Sequence, residues 1–414
     1  MSLSPVLARR IIETLGSTGT PPEWGFQHFS AGIDGVLDVL EGDYLRDFLP
    51  AGGSSFKLLV GTYGGGKTHF LYSLRAIAWQ RGFPVAYVPL SSDESPFHQL
   101  DRVYAAIVKR VALPPSTERP DVLSQPGLLP LLKSWHASII EDLQARDVPS
   151  TELASAAFEV ARAALSGLDS LQMQKALSKA IEALASGDDT TLEALLTWLS
   201  ADGFSAAIHR PLGLLHGIDR SVALSMLRSL VQWLQAMGHP GLVILFDEAE
   251  QLPSLSTRQR DALLSNLREL IDECGHQHFG GVLMMYAVPD QRFFEGRSSV
   301  YEALNQRIAT IFDVYNPTGV TIRLDDVVKE PLVLLQTIGE KLGVVFESAY
   351  GCKLENKSVA VGAVAKAAYE QRFGDVGYKR LFVQGCIKAF QAIRAGQATP
   401  LDLATARKLM APSS

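Results

Sequence analysis

Cysteine is scarce: the 414-residue chain has three, Cys274, Cys352 and Cys386, far apart and without a C-x-x-C pair. That excludes a disulfide framework as the source of stability and points to a reducing compartment. Cys274, His276 and His278 lie close in sequence, but no fourth ligand follows at zinc-site spacing, so no metal centre is expected there. No apolar run reaches the roughly 18 residues that cross a bilayer. Residues 1–15 hold Arg9-Arg10 but no long apolar stretch or cleavage site. No membrane contact and a cytoplasmic location are therefore expected. Basic excess is lacking as well. With a net charge of −6 and a pI near 5.9, any DNA contact must come from a local patch or an assembled complex. The small clusters Arg292, Arg297 and Arg307, or Lys379 and Arg380, read more simply as contacts to a small ligand or as solvated faces.

Against these absences stands one dense motif. Gly61-Thr62-Tyr63-Gly64-Gly65-Gly66-Lys67-Thr68 follows the apolar run Phe56–Val60 and precedes a helical pattern. It matches G-x-x-x-x-G-K-[ST] in the strand-to-helix setting that the pattern requires. Glycines let backbone N–H groups turn toward phosphate oxygens, and the helix N-terminus adds the positive end of its dipole. Residues 61–69, through His69, are the candidate nucleotide cradle. Lys67 is expected on the β- and γ-phosphates, with the Thr68 hydroxyl on Mg²⁺. Downstream, Val243-Ile244-Leu245-Phe246-Asp247-Glu248 reads as a Walker B strand. Asp247 would hold the Mg²⁺ hydration shell, and Glu248 would orient and deprotonate the attacking water.

Strands alternate with helices around these motifs, which predicts a parallel sheet covered on both faces. After a helix over 5–15 and a second from Ile33 to Phe48, strands are expected at Phe56–Val60, Val85–Leu90, Gly241–Phe246, Val282–Ala287 and Thr310–Val314. From about 112 to 238 the strand signal vanishes into Ala- and Leu-rich helical periods, a helical insertion. Beyond Leu324 only helical patterns remain. The expected organisation is α/β: a P-loop NTPase sheet flanked by helices. Residues 1–50 form an N-terminal helical segment, 51–324 the ATPase core and 325–414 an all-helical lid.

An added strand, Val85–Leu90, between the two motifs in sequence, with Glu248 after Asp247, resembles the catalytic-glutamate division of P-loop NTPases. That likeness implies ATP rather than GTP, and hydrolysis; no N-K-x-D guanine motif is present. The order of elements resembles the AAA+ superfamily, particularly its origin-recognition-like branch. The likeness implies a trans-acting arginine finger at Arg307, the alternative being a helix-terminal salt bridge. It places Asp290 at sensor 1, and Arg380, with Lys379 as runner-up, at sensor 2 in the segment from Gly374. Phe29-Ser30-Ala31-Gly32-Ile33-Asp34 resembles the superfamily's base-side segment.

A closer likeness rests on Trp24-Gly25-Phe26, Phe29–Gly32, Gly61–Leu71, Gly238–Glu250 and Tyr378-Lys379-Arg380-Leu381-Phe382. These segments resemble the BrxD-type ATP-binding proteins of bacterial BREX phage-defence systems. The resemblance implies an ATP-binding cytosolic protein working with other defence-system proteins, with DNA reached through the complex and a homo-oligomer if Arg307 acts in trans. A slow ATP-gated switch, binding protein partners through its helical insertion, is the alternative function.

Overall fold

The computed structural model describes residues 3–91, 93–115, 124–249, 255–290, 294, 299–327, 330–372, 377–396 and 402–410. Helix α1 (Pro5–Thr18) is capped by Ser4, whose hydroxyl accepts from the Leu7 N–H, and closes on the left-handed Gly19. The expected single helix over 33–48 divides into α2 (Asp34–Val39) and a π-helical stretch, Leu40–Phe48. The sheet begins with β1 (Ser54–Val60), followed by α3 (Lys67–Gln80), β2 (Val85–Pro89), α4 (Leu100–Arg110) and a two-residue β3, Val111–Ala112. Six helices then intervene: α5 (Leu128–Ala145), α6 (Leu153–Ala164), α7 (Leu171–Ser186), α8 (Asp189–Leu199), α9 (Ala206–His209) and α10 (Ala223–Ala236). The sheet resumes with β4 (Leu242–Asp247), α11 (Thr257–Gly275), β5 (Val282–Val288), α12 (Ser299–Ile308), β6 (Thr321–Arg323) and the short α13 (Leu324–Val327). Helices α14 (Pro331–Tyr350), α15 (Lys357–Glu370), α16 (Tyr378–Arg394) and α17 (Leu403–Met410) complete the chain.

The strand order is β3-β2-β4-β5-β1-β6, and every pairing except β2–β3 is parallel. Although β2 stands between the two motifs in sequence, it is β5 that lies between β1 and β4 in space. The apolar runs are continuous because both faces are covered. Along β4, Leu242, Ile244 and Phe246 pack with the insertion helices, while Val243 and Leu245 face α3 and the 33–49 segment. The same period of two splits β5, with Met284 and Tyr286 on one side and Leu283 and Met285 on the other. Helices α5–α8 and α10 therefore share one core with the sheet. A separate core joins α1 to α14–α17 through Ile11, Ile12, Leu15, Leu342, Phe346, Phe382 and Phe390.

The expected strand over 310–314 is corrected: the last strand is Thr321–Arg323, paired with β1. Ile311 and Asp313 make only isolated bridges. Asp313 turns the chain instead, its Oδ1 accepting from the Tyr315 and Asn316 N–H groups at 2.7 and 2.9 Å. An apolar pair beside a turn opened by Asp313 carries too little length to declare which side of the turn pairs. This turn is tied to the sheet by Lys57, which is 1% exposed on β1. Its ammonium donates to Tyr44 Oη (2.7 Å) and to the carbonyls of Pro317 (2.9 Å) and Gly319 (2.7 Å). All three protons find acceptors, but among the described residues no carboxylate does the pairing, and burial pushes the ammonium down to about 7.

Candidate functional site

Between β1 and α3 the chain leaves the sheet at Gly61 and turns tightly, the Gly65 N–H donating to the Thr62 carbonyl at 2.8 Å. Gly64 (φ +68) and Gly66 (φ +104) occupy the left-handed region, which a Cβ disfavours. A Cβ on Gly66 would meet nothing within 4 Å, whereas one on Gly65 would lie 2.8 Å from the Thr62 carbonyl oxygen. The loop is thus tight within itself and leaves its Gly66 side clear. Lys67 opens α3, only 5% exposed, with its Nζ donating to the Gly61 carbonyl at 3.0 Å.

One turn of chemistry joins this loop to the end of β4. Thr68 Oγ1 donates to Asp247 Oδ2 at 2.7 Å, across 179 residues of sequence. The Tyr87 hydroxyl, from neighbouring β2, donates to the same oxygen at 2.6 Å. Burial, and then the charge of Asp247, push the Tyr87 phenol well above its ordinary range, so it remains a donor. The other oxygen of Asp247 accepts from the Glu248 N–H at 2.8 Å. Glu248 has φ +59, a left-handed conformation uncommon outside glycine, asparagine and aspartate. The turn carries Glu248 off the strand to line the adjoining cavity.

That cavity, of about 410 Å³, falls within the range of small-molecule sites. Its walls are chemically divided. Gly64–His69, Glu248, Lys379 and Arg380 form the polar part. Leu15, Pro21, Phe29 and Ile33 from the N-terminal region, with Leu334, Ile338 and Val383 from α14 and α16, form the apolar part. The C-terminal helices close directly on the loop. Lys379 Nζ donates to the Gly65 carbonyl at 2.7 Å, and Arg380 Nη1 donates to Tyr63 Oη at 3.1 Å. Burial lowers the Lys379 ammonium from its ordinary range. Gly377 lies so close that a Cβ on Gly64 would sit 2.8 Å from its Cα. Lys341 Nζ adds a bond to the Ser30 carbonyl at 2.6 Å, drawing α14 onto the 29–33 segment.

His69 shares a 2.8 Å hydrogen bond with Ser30 Oγ and lies between Phe26 and Phe29. Burial, then the charge of Lys379, hold its ring down to about 4. The ring is neutral at pH 7, a pillar between α3 and the 26–33 segment rather than a cation for phosphate. Arg307 does not reach the cavity: its guanidinium pairs with both oxygens of Asp272, Nη2 at 2.9 Å, and its Nη1 donates to the Ala303 carbonyl. Asp290 follows β5 and does not line the cavity. Glu250, Arg292, Arg297 and the segment Gly374–Val376 lie outside the described residues. Sequence reasoning missed Tyr87, Leu15 and the apolar wall from α14 and α16. Their only local signature is ordinary strand or helix periodicity.

The donor set suits the expected groups. A hydroxyl and a carboxylate held together beside a glycine turn are hard oxygen donors of the kind Mg²⁺ takes. Three cations, Lys67, Lys379 and Arg380, with successive N–H groups at a helix start, suit a polyphosphate. Among the described residues no helix is long and apolar enough to cross a membrane. No curated protein and no solved structure matches the chain. Residues 3–403 do match a family model, that of the BREX system ATP-binding protein BrxC/D, and the chain belongs to this family of phage-defence ATP-binding proteins.

Proposed function

We propose that the chain binds ATP with Mg²⁺ and hydrolyses it, as an AAA+-type ATPase of a BREX-like complex acting on DNA in the cytoplasm. The observation that carries the reading is the 2.7 Å bond from Thr68 to Asp247, at the polar end of a nucleotide-sized cavity. The strand β5 lying between β1 and β4 supports the additional-strand, catalytic-glutamate class. Residues 325–414 act as the lid; α1 moves with them, since it shares their core.

In this reading the glycine turn and Lys67 cradle the β- and γ-phosphates, and the apolar wall receives the base. Thr68 and Asp247 hold the metal, which when bound neutralises charge on the phosphate oxygens. Glu248 takes a proton from the attacking water as its oxygen bonds to the γ-phosphorus and the bond to the β–γ bridging oxygen breaks, releasing ADP and phosphate. Arg380 is the lid's γ-phosphate contact. Arg307 serves a neighbouring subunit only after leaving Asp272, which makes a homo-oligomer part of the proposal.

Glu248→Gln should retain ATP affinity and lose turnover by at least about a hundredfold, the scale of a lost general base. Unchanged turnover in that variant rejects the assignment. A slow ATP-gated switch is the second reading, favoured by the closed contact of Lys379 with the glycine loop. Strong stimulation of turnover by DNA in the complex supports the motor; none supports the switch.

A further inference from the structure

The hydrogen bonds around Asp247 are unequal, and the inequality has a source outside both sequence motifs. Each carboxylate oxygen offers two acceptor positions. Oδ2 fills both, with Thr68 Oγ1 at 2.7 Å and Tyr87 Oη at 2.6 Å. Oδ1 accepts the Glu248 N–H at 2.8 Å and, among the described residues, keeps its other position. We propose that Tyr87 is a positioning residue for the metal site: by saturating Oδ2 it fixes the rotation of the Asp247 carboxylate, leaving Oδ1 as the oxygen that would take a metal-bound water. The inference rests on the reading of Asp247 as the metal-holding carboxylate.

The tyrosine is itself held in place by the helix that carries the glycine loop's last residues. Helix α3 starts at Lys67 and Thr68 and, further along, presents Tyr72 and Arg75 to the Tyr87 ring. The two tyrosine rings lie 5.1 Å apart, and the Arg75 guanidinium is 5.7 Å from the Tyr87 centroid. Arg75 is 5% exposed and donates to the Glu23 carbonyl at 3.1 Å, which fixes it to the segment just before Trp24. On the other side, Pro89 of β2 pairs in parallel register with Asp247, so the strand bearing Tyr87 runs beside the carboxylate. The phenol oxygen has little freedom to leave Asp247. Outer-shell donors of this kind commonly set metal affinity by about tenfold to a hundredfold.

The test is equilibrium binding of a fluorescent ATP analogue to the full chain, titrated with Mg²⁺ and repeated in EDTA, for wild type, Tyr87→Phe and Asp247→Asn. Tyr87→Phe keeps the ring and removes the hydroxyl. The expected result is a Mg²⁺ half-saturation raised about tenfold or more, with the EDTA affinity unchanged. Mn²⁺ bound to the nucleotide complex, counted by electron paramagnetic resonance, should fall in parallel. If Tyr87→Phe lowers the unfolding midpoint yet leaves the Mg²⁺ half-saturation at the wild-type value, the phenol is a structural strut and the inference is overturned. If the wild-type protein itself shows no Mg²⁺ dependence, or Asp247→Asn leaves the Mg²⁺ half-saturation at the wild-type value, the underlying site reading fails instead.

Discussion

The close approach of Gly377 to the glycine loop sets up a separable experiment. A Cβ built on Gly377 would lie 2.5 Å from the Tyr63 carbonyl oxygen and 2.6 Å from Gly64 Cα. Both obstacles are backbone, so neither can rotate away. Gly377 itself has φ −54, which alanine adopts freely, so Gly377→Ala introduces a clash without torsional strain. Ordinary carbon contacts begin near 3.5 Å, so the two backbones must part by about 1 Å. That displacement breaks the 2.7 Å bond from Lys379 to Gly65 and moves the apolar wall of α16 off the cavity. A charged hydrogen bond contributes about 1.5–3 kcal/mol, so ATP affinity should fall about tenfold to a hundredfold. Isothermal titration with a non-hydrolysable analogue measures the affinity, and urea unfolding checks the fold. Gly66→Ala is the complement, since its Cβ meets nothing while φ is +104. It should act through backbone strain of the loop and leave the Lys379 contact in place. Unchanged or tighter nucleotide binding by Gly377→Ala, with normal stability, would refute the idea that the closed contact shapes the site.

Lys57 makes a pH prediction. Its folded value of about 7 lies below the ordinary 10.5, so between those limits the unfolded chain holds a proton that the folded chain lacks. Stability relative to Lys57→Met should therefore rise by roughly 1 kcal/mol per pH unit from pH 7.5 to 9.5, with the full burial penalty present below pH 7. A flat difference in urea unfolding would show that the Tyr44, Pro317 and Gly319 acceptors keep the proton on. Ile338→Arg places a charged side chain in the apolar wall and should abolish nucleotide binding without unfolding the chain, as read by circular dichroism; retained affinity would move the base elsewhere. Arg307→Ala should reduce turnover only at concentrations where the protein self-associates. A loss that does not vary with concentration would assign the residue to its Asp272 pair alone.

Much of the architecture could be read locally. The apolar runs of β4 and β5 and the Gly64–Gly66 turn are dictated by short-range rules of burial, periodicity and backbone freedom, which leave their mark within a few residues. The ends of β6 were not legible, because Ile311-Phe312 is the more apolar pair, yet pairing with β1 selects Thr321–Arg323. His69 shows the same limit from the other direction. Its place after Lys67-Thr68 suggests a ligand contact, and it does line the cavity, but its seat between Phe26 and Phe29 and its bond to Ser30 appear only in the fold.

By itself the sequence determined which segments carry the glycine turn and the paired carboxylates, and that the sheet holding them is buried on both faces. Tertiary structure alone decided that Tyr87 shares Asp247 with Thr68, that Gly377 rests on Gly64, and that α1 supplies part of the cavity wall. Those relations join positions dozens to hundreds of residues apart, and hydrogen bonds and contacts of that span leave no periodic trace along the chain; they exist only once the strands have ordered themselves.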